Sequence, residues 1–134
     1  MSNAAIAQVL LAGEDQQHLQ DKGYDFAVAQ NAGFICVLIR NFMLASRYTP
    51  TTCDVLLRLP PNFPMAKPDM FWTNPHVRLT NGSYPPQADV FDVNFDGRQW
   101  QRWSRHLDSA QWRPGKDNLR TFLGIIRREL QEGL

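Results

Sequence analysis

The sequence predicts an α+β fold, with helix at both ends of the chain and an antiparallel meander between, from three features. Apolar residues alternate with polar ones over Tyr24–Val28 and Cys53–Leu59, the period of a half-buried strand. Residues 4–12 and 119–130 instead carry helix formers, and the second stretch places its apolar residues on one helical face. Residues 60–86 hold seven of the nine prolines, which excludes regular helix there. At 134 residues the length suits a single domain, expected to span 1–134.

Taken in order, Ala4–Ala12 is the N-terminal helix, with Gly13 as its stop, and a second helical patch runs from Glu14 to Gln20. Tyr24, Phe26 and Val28 mark the first strand, and Asn31-Ala32-Gly33 supplies turn chemistry. Phe34–Leu44 is a largely apolar second strand, Arg47–Thr51 a loop, and Cys53–Leu59 the third strand. A short fourth strand around Met70–Trp72 fits between the prolines, whose density makes residues 60–86 a stiff, extended surface element. Val90–Phe95 alternates again, as a further strand or an extended loop. Asp117 suits an N-cap, after which Leu119, Phe122, Leu123, Ile126 and Leu130 share one helix face.

Composition removes several classes of function. Hydrophobic residues at 43% and charged residues at 20% describe an ordinary globular chain. A net charge of +1 lacks the basic excess of nucleic-acid binding. No apolar run approaches the roughly 18 residues of a membrane helix. The N-terminal residues lack the basic and apolar blocks of a secretory signal, so no membrane association is expected and the location is expected to be the cytoplasm. Two cysteines are too few for a structural metal site, and neither a metal nor an organic cofactor is expected. Cys36 reads as a small core residue, and Cys53, opening a strand, as structural but partly exposed.

Leu59-Pro60-Pro61-Asn62-Phe63-Pro64-Met65-Ala66-Lys67-Pro68 resembles the segment of ubiquitin-conjugating enzymes in which a strand runs into Tyr-Pro-Phe-x-x-Pro-Pro. Trp112-Arg113-Pro114 and the helix after it resemble their Trp-Ser-Pro and following helix, and Asn74-Pro75-His76 is a scrambled echo of their His-Pro-Asn. The order of these motifs implies a UBC-like fold: N-terminal helix, antiparallel four-stranded meander, proline-rich active-site loop, C-terminal helix. More narrowly, Asp69-Met70-Phe71-Trp72, Asn81-Gly82 and the string Trp100-Gln101-Arg102-Trp103-Ser104-Arg105-His106 resemble the prokaryotic ubiquitin-conjugating-like family E. That resemblance implies a bacterial pathway with a ubiquitin-like protein, an activating enzyme and a JAB-type metallopeptidase as partners, and a histidine in place of the usual cysteine.

Conjugating enzymes carry the modifier as a thioester because thiolate is a strong nucleophile and the ester survives transfer. Counting eight residues back from Trp112 puts the family's cysteine position at Ser104, whereas counting forward from Asn81-Gly82 reaches Pro85. Residues 83–103 look like an insertion relative to the typical enzyme, and no cysteine follows Cys53. His106 is the functional candidate, because imidazole serves as nucleophile, base or acid near neutral pH. In an extended segment Ser104, His106 and Asp108 share a face, so Ser104 and His106 form a candidate nucleophile–base pair and Asp108 a candidate orienting carboxylate. Arg102 and Arg105 are candidates for binding the modifier's acidic or C-terminal tail. The alternative role for His106 is a satisfied polar group closing a loop.

His76, between prolines, is expected to fix a turn, and His18 to lie on a helix surface. Trp72, Trp100, Trp103 and Trp112 are expected as core and loop anchors. Two functions follow. One is a conjugating-type transferase with His106 at the reaction site; the other is a catalytically inactive UBC-fold module that binds or scaffolds a ubiquitin-like protein. An unrelated chemistry around His106, Arg105 and Asp108 is a third, weaker reading.

Overall fold

The computed structural model describes residues 10–68, 70–105 and 112–132. Helix α1 (Gly13–Asp21) leads into strands β1 (Asp25–Asn31) and β2 (Phe34–Met43). The turn between them has Ala32 and Gly33 both at positive φ, 51° and 83°, which matches the twist of a two-residue hairpin. It sets a register in which Val28 faces Val37. There follow β3 (Tyr48–Thr49), β4 (Thr52–Leu59), β5 (Met70–Asn74), β6 (Arg78–Leu79), β7 (Val90–Phe95), β8 (Arg98–Ser104) and α2 (Leu119–Leu130).

Six strands form one antiparallel sheet in the order β1-β2-β4-β5-β8-β7, while β3 pairs with β6 apart from it. The expected meander is therefore β1, β2, β4 and β5. The region that looked inserted supplies a further hairpin, β7–β8, docked on the edge of β5. Asp96-Gly97 closes that hairpin with both residues at positive φ. The proline-rich stretch also holds more regular structure than expected, because β6 finds a partner in β3 in the interval between Pro75 and Pro85.

Period-two alternation sends side chains to both faces of the sheet, and both are buried. On the inner face Val37, Val55, Leu57, Phe71 and Trp103 pack with Leu119, Phe122, Leu123, Ile126 and Leu130 of α2, the same five helix residues the spacing singles out. Each such side chain contributes about 1.5–3 kcal/mol on burial. The outer face gathers Cys36, Leu38, Leu56, Trp72, Val93 and Trp100 into a second cluster.

Three local expectations shift. Gly13 opens α1 rather than stopping a preceding helix, and residues 1–9 lie outside the described residues. The N-cap of α2 is Asn118, not Asp117: its backbone is extended and its side chain exchanges a capping box with Thr121. Asp117 instead accepts from the Arg113 N–H at 2.7 Å. Finally, Cys53 is buried, only 3% exposed, because it points inward with Val55 and Leu57.

Three hydrogen bonds fix α2 at its ends. Buried Asp15 of α1 accepts the Leu119 N–H at 3.3 Å, relieving one of the helix's open donors. At the other end the Ala45 N–H and the Tyr48 hydroxyl donate to the carbonyls of Leu130 and Glu129, at 2.7 Å and 2.9 Å.

Candidate functional site

Strand β8 carries the tryptophan-rich string to one end of the sheet. Its pairing with β5 sets Met70 opposite Ser104, Phe71 opposite Trp103, Trp72 opposite Arg102 and Thr73 opposite Gln101. Alternation then places Trp100, Arg102 and Ser104 on the outer face and Gln101 and Trp103 on the inner one. The extended segment expected to carry Ser104 thus begins as strand.

Trp103 is locked from three sides. Its ring stacks on Phe71 with centroids 5.3 Å apart, meets the Tyr48 ring edge-on, and donates Nε1–H to Thr73 Oγ1 at 2.9 Å. Beside it, fully buried Gln101 is a polar hub that the sequence reading missed. Its Oε1 accepts from the Thr73 hydroxyl and the Val77 N–H, and its Nε2 donates to the Val77 and Ala88 carbonyls. One side chain thereby ties β5, β8 and the 77–88 connection together. A glutamine between Trp100 and Arg102 was the only sequence signal for it.

The two candidate arginines are already engaged within the chain. Arg102 pairs with Asp92, which also accepts the Trp72 indole N–H at 3.3 Å. Arg105 lies over the Trp103 ring and pairs with Glu129 at 2.7 Å, tying the end of β8 to α2. Ser104 is half-buried on the outer face; its N–H donates to the Gln87 carbonyl at 3.1 Å and its Oγ lies 3.9 Å from Met70 Sδ. The structure therefore brings Ser104 and Arg102 to one face and Arg105 to the other. His106 and Asp108 lie outside the described residues.

Neither cysteine offers a thiol. Cys36 is 1% exposed, and burial raises its pKa against the opposing pull of Arg58. Burial, with Asp54 adding to it, pushes the Cys53 thiol up to about 12. Thiolate is the reactive form, so both groups are held in the inert one.

The remaining motifs act as anchors. Trp112 donates to the Pro64 carbonyl at 2.9 Å and packs against Phe63, fastening the proline-rich segment to the approach of α2. His76 follows the cis Asn74–Pro75 bond and lies 4.2 Å from the Phe91 ring, with Tyr84 and Arg78 completing the cluster. His18 sits on α1, where burial and nearby Arg120 lower its pKa. Among the described residues no helix is long and apolar enough to cross a membrane.

No curated protein and no solved structure matches the sequence. A match to the family described as prokaryotic E2 family E runs over residues 11–133. With its N-terminal helix, antiparallel sheet and C-terminal helix in the UBC-like order, the chain belongs to prokaryotic E2 family E.

Proposed function

We propose that this protein is a single cytoplasmic domain that transfers a ubiquitin-like modifier in a bacterial conjugation pathway, with His106 serving where other members of the superfamily use a thiol. The family supports a ubiquitin-conjugating-like role, in company with ubiquitin-like proteins and activating enzymes. The observation that carries the finer reading is the burial of both cysteines, which leaves the chain no thiolate with which to accept an acyl group.

In this reading the His106 imidazole attacks the thioester carbonyl on the activating enzyme, expelling its thiol and forming an acyl-imidazole. An amine of the target then attacks, the imidazole leaves, and the amine's proton passes to solvent. The acyl-imidazole hydrolyses readily, so it is a short-lived relay rather than a travelling carrier. In the base variant of the same scheme His106 takes the proton of Ser104, which lies two residues earlier on the outer face, with Asp108 orienting the ring. Arg102 and Arg105 receive the modifier's tail by exchanging their present carboxylate partners for it. A JAB-type metallopeptidase supplies or removes the modifier.

The test combines the chain with its activating enzyme, modifier and ATP, and follows adducts by intact mass. Product should form with wild type and with Cys53→Ala, and fall at least about 100-fold with His106→Ala. Equal modifier binding by wild type and His106→Ala, with product from neither, establishes the binding module instead. The internal pairing of Arg102 and Arg105 is the observation that favours this second reading.

A further inference from the structure

The outer face of the sheet holds a recess of about 280 Å³ beside Ser104. Trp72, Met70 and Phe34 contribute apolar surface to it, and Pro60 and Pro68 bring in the first part of the proline-rich stretch. Met70 is the residue paired with Ser104 across β5 and β8, so the recess and the end of β8 adjoin. Its volume falls at the small end of ligand sites and suits one large side chain rather than a cofactor.

The charges at its margin have a definite sign. Arg58 brings a cation, and the carboxylate in the lining, Asp92, is already paired with Arg102 and bonded to Trp72. The Arg58 guanidinium lies over both the Phe34 ring, at 4.4 Å, and the Trp72 ring, at 5.4 Å. A guanidinium resting against two rings carries a planar fork of donors whose geometry matches a carboxylate.

We propose that this recess is a specificity subsite for an extended polypeptide segment. It takes one large aliphatic or aromatic side chain, and Arg58 binds an acidic residue next to it in the segment. The proposal rests on the conjugation reading, which supplies the reason for a polypeptide to be held next to Ser104. The subsite binds without chemistry, so it is tested apart from that reading.

The probe is acetyl-Leu-Glu-amide, titrated into ¹⁵N-labelled protein and followed at the Trp72 indole N–H, assigned with Trp72→Phe. The expected result is a saturable shift, absent with acetyl-Ala-Glu-amide and about tenfold weaker with acetyl-Leu-Gln-amide. Arg58→Gln should erase the preference for Glu over Gln while keeping that for Leu over Ala. Arg58→Lys, which keeps the charge but not the fork, should retain only part of the first preference. The dispersed spectrum of each variant reports its folding directly. Equal shifts from the Leu and Ala probes, no saturation, or an unchanged Glu preference in Arg58→Gln overturns the proposal. A Trp72 signal that moves on diluting the protein alone also overturns it, in favour of a second copy of the chain. Failure here leaves conjugation through His106 intact, and failure of conjugation leaves the measured binding in place but removes its role beside Ser104.

Discussion

The two faces of the sheet are both buried, but by different means. The inner face is covered by α2, whose five apolar residues interdigitate with those of the strands. The outer face instead carries guanidinium groups over its aromatic rings. Arg58 lies over Phe34 and Trp72, while Arg98 lies over Trp100 and is held there by Asp54 at 2.8 Å and Asn74 at 3.2 Å. A helix excludes water along its whole length and is anchored at both ends. An arginine over a ring contributes only about 0.5–1 kcal/mol at an exposed site and can swing away. The inner face therefore carries the stability, and the outer face is the side on which a ligand can reach apolar surface without unfolding the protein.

The largest effect should come from breaking the inner face at its polar hub. In Gln101→Leu the buried Val77 N–H loses its acceptor, the Val77 and Ala88 carbonyls lose their donors, and the Thr73 O–H loses its acceptor. An unsatisfied buried group costs about 1–3 kcal/mol, and several are created together. We expect a loss of about 3 kcal/mol or more in urea unfolding. A loss below about 1 kcal/mol would mean that the 77–88 connection is held by other contacts.

A smaller effect attaches to Asp15, where α1 meets α2. Burial raises its pKa, opposed by the bond from the Leu119 N–H, while neighbouring Glu14 adds to the rise. A carboxylate with a raised folded pKa binds more protons folded than unfolded, so stability falls as pH rises from the ordinary carboxylate range through that raised value. Asp15→Asn keeps an acceptor and should flatten this part of the pH–stability curve. Asp15→Ala should flatten it too, and lower stability by about 1–2 kcal/mol by orphaning the Leu119 N–H. A curve that keeps its slope in Asp15→Asn would assign the dependence to another group.

How legible this was follows from the kind of signal each feature leaves. The α2 face was readable because a 3.6-residue period repeats over three turns. β1, β2 and β4 were readable because they alternate or run apolar for at least five residues. The hairpin β7–β8 was only half visible: Val90–Phe95 alternates, but in β8 the interspersed Gln101 is buried while Arg102 is partly covered, so polarity misreports the face. Burial of Cys53 follows from its phase with Val55 and Leu57, a parity its place at the strand's start obscured. Ser104 and Arg102 could be placed on one face from period two alone, but their neighbours Met70 and Asp92 depend on long-range register. Of the candidate site, the sequence alone carries His106 and Asp108, which lie outside the described residues.

The finest probe of the two faces is the pair of thiols, since Cys36 belongs to the outer cluster and Cys53 to the inner one. Both should react slowly with a thiol reagent in the native protein, because both are buried and their pKa values are raised. Arg58→Ala removes the guanidinium that lowers the Cys36 pKa, and in the same stroke uncovers the cluster around it. These two consequences oppose one another. Desolvation is the larger cause of the Cys36 shift, so uncovering should win. Losing about 1 kcal/mol of cover should speed local opening, and with it Cys36 labelling, about fivefold, while Cys53 stays at its native rate. If both thiols accelerate together, the variant has loosened the whole domain. If neither does, the outer face is closed by its own packing, and the arginine layer is a consequence of that closure rather than its cause.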